Sequence, residues 1–125
     1  MMEYFSIQEL DLPADIWNPF AQHYAAAYYD PNQMIYFQES QADCFYYLKR
    51  GRVKTFISSE DGTEKALTVY REGNLFGEAA FFDGMPRVSS AVAITACDIV
   101  RIDRQRATQE IVQNPELALA LMKYL

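Results

Sequence analysis

Between Met34 and Ile102 the chain is a succession of short β-forming runs, each cut off by Gly, Pro, Asn or Asp before it can lengthen. Met34-Ile35-Tyr36-Phe37 and Cys44-Phe45-Tyr46-Tyr47-Leu48 flank a polar loop, Gln38 to Asp43. Gly51 then opens Arg52 to Ile57, with Val53, Thr55 and Ile57 on one face. Glu60-Asp61-Gly62-Thr63 turns the chain into Ala66 to Tyr70, and Asp-Gly between two such runs signals a hairpin. Val88 to Ile94 and Cys97 to Ile102 complete the set, the second alternating Ile99 and Arg101 against Val100 and Ile102. Upstream, Asp30-Pro31-Asn32 is turn chemistry, because Pro fixes φ and Asn tolerates left-handed backbone.

Helical signals cluster at the two ends. Pro13 and Asp15 suit the first turn of an opening helix over 13–20. Asp103 caps a helix running to about Val112, and Asn114-Pro115-Glu116 restarts one in which Leu117, Ala118, Leu121, Met122 and Leu125 share an apolar face. A single helical turn is expected over Gly77 to Phe82. Short strands with helices at the flanks predict one mainly β domain over 1–125, an antiparallel sandwich or roll carrying helices. The last helix meets no stop signal before Leu125, so the chain is expected to be part of something longer.

Seventeen acidic against eleven basic side chains give a net charge of −6, which opposes a phosphate backbone and argues against DNA binding by this chain alone. Its apolar stretches are interrupted well short of the roughly 20 residues of a bilayer span, and Met1-Met2-Glu3-Tyr4 has no basic segment leading into an apolar one, so a targeting segment is not expected. Cys44 and Cys97 form no CxxC pattern, and are expected as reduced, buried small residues in a cytoplasmic setting. His23 is the sole histidine, so a histidine-built metal centre has nothing to use, and no nucleophile or P-loop motif points to an enzyme.

The segment Phe76 to Ala93 carries the chemistry. Gly77 permits close backbone approach, and a helical turn beginning beside it directs the free amides of Ala79 and Ala80 at an anion. Arg87 returns after the Asp83-Gly84 turn with a guanidinium suited to phosphate oxygens, and Glu78 offers an acceptor for sugar hydroxyls. The plain alternative is that Gly77 serves only a turn while Glu78 and Arg87 pair with each other. Phe81 and Phe82 are candidates for the pocket border, one of them for core filling.

From about Tyr24 to Leu125 the sequence resembles the effector domain of the CRP/FNR regulators, a branch of the cyclic-nucleotide-binding domains. The resemblance rests on Phe76-Gly77-Glu78-Ala79 with Arg87 ten residues past Gly77, on the strand-turn-strand Tyr46 to Val53, on the Ser59-Glu60-Asp61-Gly62 hairpin and on the Asn114-Pro115-Glu116 helix entrance. It implies a cyclic-nucleotide-binding-domain-like β-roll, a double-stranded β-helix or jelly roll. Its core would span about 24–103 and a dimerisation helix would start at about 114–125. It further implies a ligand site of Gly77, Glu78, Ala79, Ala80, Arg87 and Ser89, no required cofactor, a homodimer through the last helix, and DNA binding only through a helix-turn-helix domain absent from this chain.

One position departs from the family pattern. Cyclic-nucleotide binders usually follow the Arg with Ser, Thr or another small residue, and here Val88 stands there. Alternation puts Ser89, not Ser90, on the face of Arg87. A lost hydrogen bond to a charged oxygen costs about 1.5–3 kcal/mol, one to two decades of affinity. Cyclic AMP, another small anion such as an aromatic acid, and a stand-alone interaction module with no DNA role all stay open.

Overall fold

The structure is a computed structural model that describes residues 16–124; positions 13–15 of the expected opening helix, and Leu125, lie outside them. Among the described residues, eight strands form two four-stranded antiparallel sheets. They are β1 (Ala27–Tyr29), β2 (Met34–Tyr36), β3 (Cys44–Arg50), β4 (Val53–Ser58), β5 (Glu64–Tyr70), β6 (Leu75–Phe76), β7 (Ser90–Ala93) and β8 (Cys97–Asp103). One sheet has the order β1-β8-β3-β6 and the other β2-β7-β4-β5. Strands therefore pair as β1 with β8, β2 with β7, β3 with β6 and β4 with β5, one long antiparallel ribbon wound into a jelly roll.

The β4–β5 turn lies at the closed end of that ribbon, where Ser59 and Gly62 make the turn bonds and the Asp61 carboxylate accepts from the Thr63 amide at 3.0 Å. Asn32 sits in the left-handed region at φ 70, as its turn chemistry requires. β1 was not legible in the aromatic and small residues 24–29. Its place at a sheet edge comes from β8, where Ala27, Tyr28 and Tyr29 pair with Ile99, Asp98 and Cys97.

β3 explains its own uninterrupted apolar run, because both faces are covered. Phe45 and Tyr47 point to a core under the helices with Trp17, Phe20, Val100, Ile102, Leu117 and Leu121. Cys44, Tyr46 and Leu48 point between the sheets, with Val53, Tyr70, Phe76, Cys97 and Ile99. Cys44 and Cys97 are both free and buried.

Among the described residues, four helices flank the roll: α1 (Asn18–His23), α2 (Glu78–Asp83), α3 (Arg104–Gln113) and α4 (Glu116–Tyr124). Pro19 takes the first turn of α1. Asp103 caps α3 as expected, its carboxylate accepting from the Arg106 amide at 2.9 Å. In α4 the expected single apolar face splits in two. Leu117, Ala120 and Leu121 are buried, whereas Met122 is exposed together with Leu119, because helical spacing turns positions 119 and 122 away from the roll. None of the helices among the described residues is long and apolar enough to cross a membrane.

Candidate functional site

Gly77 sits at the end of β6 with φ 76, a conformation that L side chains rarely adopt. A Cβ there would lie 2.8 Å from Arg87 Nη1 and 3.2 Å from the Tyr36 ring, so this glycine is required by both backbone and space. α2 starts at once with Glu78 and closes at Gly84, whose amide donates to the Ala80 carbonyl. The loop through Met85 and Pro86 then delivers Arg87 beside Gly77. The strand expected from Val88 begins only at Ser90, because the Arg87 backbone is engaged by a loop: its amide donates to Ser40 O at 2.8 Å and its carbonyl accepts from Glu39 N at 2.7 Å.

Arg87 is 3% exposed. Burying a guanidinium costs several kcal/mol unless its field is answered. Here Nη1 donates to Gly77 O at 2.5 Å and Nη2 to Cys44 O at 2.6 Å, while Cζ lies 4.2 Å from the centre of the Tyr36 ring and 5.9 Å from that of Tyr46. Nε has no hydrogen-bond partner. No carboxylate lies within ion-pair distance of Arg87 among the described residues, so the expected alternative, in which Glu78 simply pairs with Arg87, is not what forms.

Glu78 is 4% exposed. Burial pushes its carboxyl up to about 7, against the opposing pull of its own backbone amide and of the Arg87 charge. The tyrosine hydroxyls nearby stay protonated at neutral pH. Burial holds Tyr36 up to about 12, and burial together with the Glu78 charge raises Tyr70.

All six residues expected at a ligand site, Gly77, Glu78, Ala79, Ala80, Arg87 and Ser89, line one cavity of about 200 Å³. Sequence reasoning missed the opposite wall, which Tyr36, Thr55, Thr68 and Tyr70 provide from β2, β4 and β5. Val88 stands at the rim and is 73% exposed. Ser90, excluded by alternation, accepts from the Gln38 amide at 2.8 Å instead. Phe81 and Phe82 do not border this cavity: both rings pack on Phe45, at 5.3 and 5.4 Å between centroids. A larger groove of about 800 Å³, with Asp43, Phe81, Arg101 and Arg104 among its lining, holds none of the six.

The buried arginine thus lines a small cavity walled on one side by β2, β4 and β5 of a single sheet and on the other by α2 and the loop that follows it. The comparisons with known proteins give the family. The cyclic nucleotide-binding domain model matches residues 26–114, and the chain belongs to that family, alongside the effector domains of the CRP/FNR regulators. It is 33% identical over 91 residues to a CRP-like cAMP-activated global transcriptional regulator of Mycobacterium tuberculosis, covering 73% of this chain and 41% of that protein. It is 31% identical to the sensor domain of the transcriptional regulator DNR from Pseudomonas aeruginosa, covering 82% of this chain and 69% of that one, with a TM-score of 0.69. The catabolite activator protein of Thermus thermophilus, at 23% identity and TM-score 0.76, shares the fold over 93% of this chain and 54% of its own. The chain spans about half the length, or less, of the curated relatives it matches.

Proposed function

We propose that this chain is the ligand-sensing domain of a CRP/FNR-type transcription regulator and takes a small anionic effector, with a cyclic nucleotide as the first candidate, in the cavity at Arg87. The observation that carries this reading is a buried guanidinium answered only by neutral groups, with one nitrogen unpartnered, on the wall of a cavity. In this reading Arg87 holds the anion, the Ala79 and Ala80 amides cradle it, Glu78 meets a sugar hydroxyl or other polar group, and Ser89 assists. The domain binds and signals rather than catalyses, and works in the cytoplasm. Leu119 and Met122, exposed on α4, start the seam of a homodimer, and DNA is contacted by a domain outside this chain. That similar proteins are cAMP-activated global transcriptional regulators supports this output.

A second reading of the effector rests on the cavity itself. Its volume of about 200 Å³ is below the roughly 300–1,000 Å³ of most ligand sites, two tyrosines form part of its wall, and Val88 makes its rim apolar. A small aromatic acid fits that description, with its carboxylate on Arg87. A thermal-shift panel of cyclic AMP, cyclic GMP and benzoate tests both readings, because a ligand at 100 times its Kd stabilises by about 2.7 kcal/mol, several degrees for a domain of this size. A shift with a cyclic nucleotide supports the first reading, a shift with benzoate alone supports the second, and no shift with any of them counts against both.

A further inference from the structure

β7 pairs with β4 only as far as Ser90, opposite Phe56, so among the described residues β4 runs on to Ser58 with no strand on that side. The side chain of Gln38 takes the open place. The Ser58 amide donates to Gln38 Oε1 at 2.9 Å, and Gln38 Nε2 donates to the Ser58 carbonyl at 3.5 Å. A primary amide suits this place because it carries a donor and an acceptor, as a peptide group does, and so continues a ladder where a strand has stopped. The backbone of Gln38 is held as well, its amide donating to Ser90 Oγ at 2.8 Å. The two residues that follow hold the wall of the effector cavity. Glu39, at φ 72, has its amide on the Arg87 carbonyl at 2.7 Å, and the Ser40 carbonyl accepts from the Arg87 amide at 2.8 Å. Ser40 closes the loop on the Phe37 carbonyl, through its amide at 3.1 Å and its hydroxyl at 2.5 Å.

We infer that Gln38 is a positioning residue of the effector site: by splinting residues 38–40 to the end of β4, it fixes the backbone of the segment 87–89 that lines the cavity. Arg87, Val88 and Ser89 all line that cavity, yet they precede β7 and have no strand ladder of their own, so their place comes from the loop that grips Arg87. Gln38 itself stands outside the cavity and acts only through that loop. A binding wall carried on a loop is as exact as the shell that supports it. This inference rests on the effector reading for its effect on affinity, but not for the splint. Gln38→Met keeps the length of the side chain and removes both bonds to Ser58. It should weaken effector affinity about ten-fold, the equivalent of about 1.4 kcal/mol, as two side-chain hydrogen bonds of ordinary net worth would give.

The test is amide hydrogen exchange, followed by NMR on the 125-residue chain in wild type and Gln38→Met, together with calorimetric titration of cyclic AMP and of benzoate into both. Without ligand, the amides of Glu39 and Arg87 should be protected in wild type and should exchange at least ten-fold faster in Gln38→Met, a larger acceleration than any in the β3–β8 ladder. Unchanged exchange at Glu39 and Arg87 overturns the positioning role. An acceleration shared equally by the β3–β8 ladder overturns it too, since that is a loss of global stability. Should Gln38→Met not fold, the wild type decides: Glu39 and Arg87 amides that exchange as fast as those of an unfolded peptide contradict a held loop. On titration, an affinity within two-fold of wild type despite the faster exchange overturns the service of the splint to the site. If neither ligand binds the wild type while the exchange behaves as described, the effector reading fails and the splinting of the Arg87 segment by Gln38 stands.

Discussion

Among the described residues, two buried ionisable side chains leave one polar atom without a protein partner, Arg87 at Nε and Glu110 at Oε1, yet their surroundings differ. Glu110, on α3, is 3% exposed and is answered by side chains of its own chain. His23 Nδ1 lies 2.8 Å from its Oε2, and the Tyr24 hydroxyl donates to the same oxygen at 3.0 Å, with the Arg106 guanidinium 5.0 Å from the Tyr24 ring. That corner ties the end of α1 to α3. Arg87 meets backbone carbonyls, the Cys44 sulfur at 4.0 Å and ring faces, and it lines a cavity. A buried charge answered by polar and ionisable groups of the protein is a structural tie. One answered by neutral groups beside a cavity keeps its field for a ligand.

This contrast can be broken most severely at Arg87. Arg87→Ala leaves the buried carbonyls of Gly77 and Cys44 without their donors and a void beside Tyr36, so it should cost about 4 kcal/mol in urea unfolding. A loss below about 1 kcal/mol would show that the guanidinium is not the keystone of this wall.

Next in size is Glu78, whose carboxyl is held up to about 7 by burial. The folded protein thus keeps a proton that the unfolded chain, with an ordinary carboxyl near 4.5, has already released. Its contribution to stability is complete below about pH 4.5 and is lost as pH rises towards 7 and through it. Glu78→Gln should flatten that slope and, at pH 8, exceed the wild type by up to about 3 kcal/mol. Unfolding curves at pH 5 and pH 8 decide, and equal slopes in the two proteins would contradict a buried neutral acid.

The smaller effect sharpens the comparison. Glu110→Ala removes the tie between α1 and α3 and should cost about 2 kcal/mol while leaving effector affinity unchanged. A parallel loss of binding, measured by calorimetry, would mean that the two regions are not the separate devices described here.

What was legible in the sequence was local. The Asp103 cap, the Asp-Gly hairpin, the left-handed Asn32 and the Gly77–Arg87 spacing each depend on neighbours a few residues away, and each stands in the structure as its chemistry demands. The missed features depend on register. Tyr36 and the Cys44 carbonyl reach Arg87 from strands more than 40 residues upstream, and nothing in their own stretches marks them for that role. β1 exists because β8 offers it an edge. The two apolar sides of α4 were merged because hydrophobic spacing alone does not say which side meets the roll. Glu39 adopts φ 72 with no sequence sign of it, between a loop and the Arg87 carbonyl that its amide reaches.

The central claim, that the Arg87 cavity is an effector site, is tested most directly by isothermal titration of cyclic AMP and of benzoate into the wild-type chain and into Arg87→Ala. The account predicts saturable one-to-one binding of one of the two to the wild type and none to the variant. Equal affinity in both proteins, or no binding by the wild type, would contradict it.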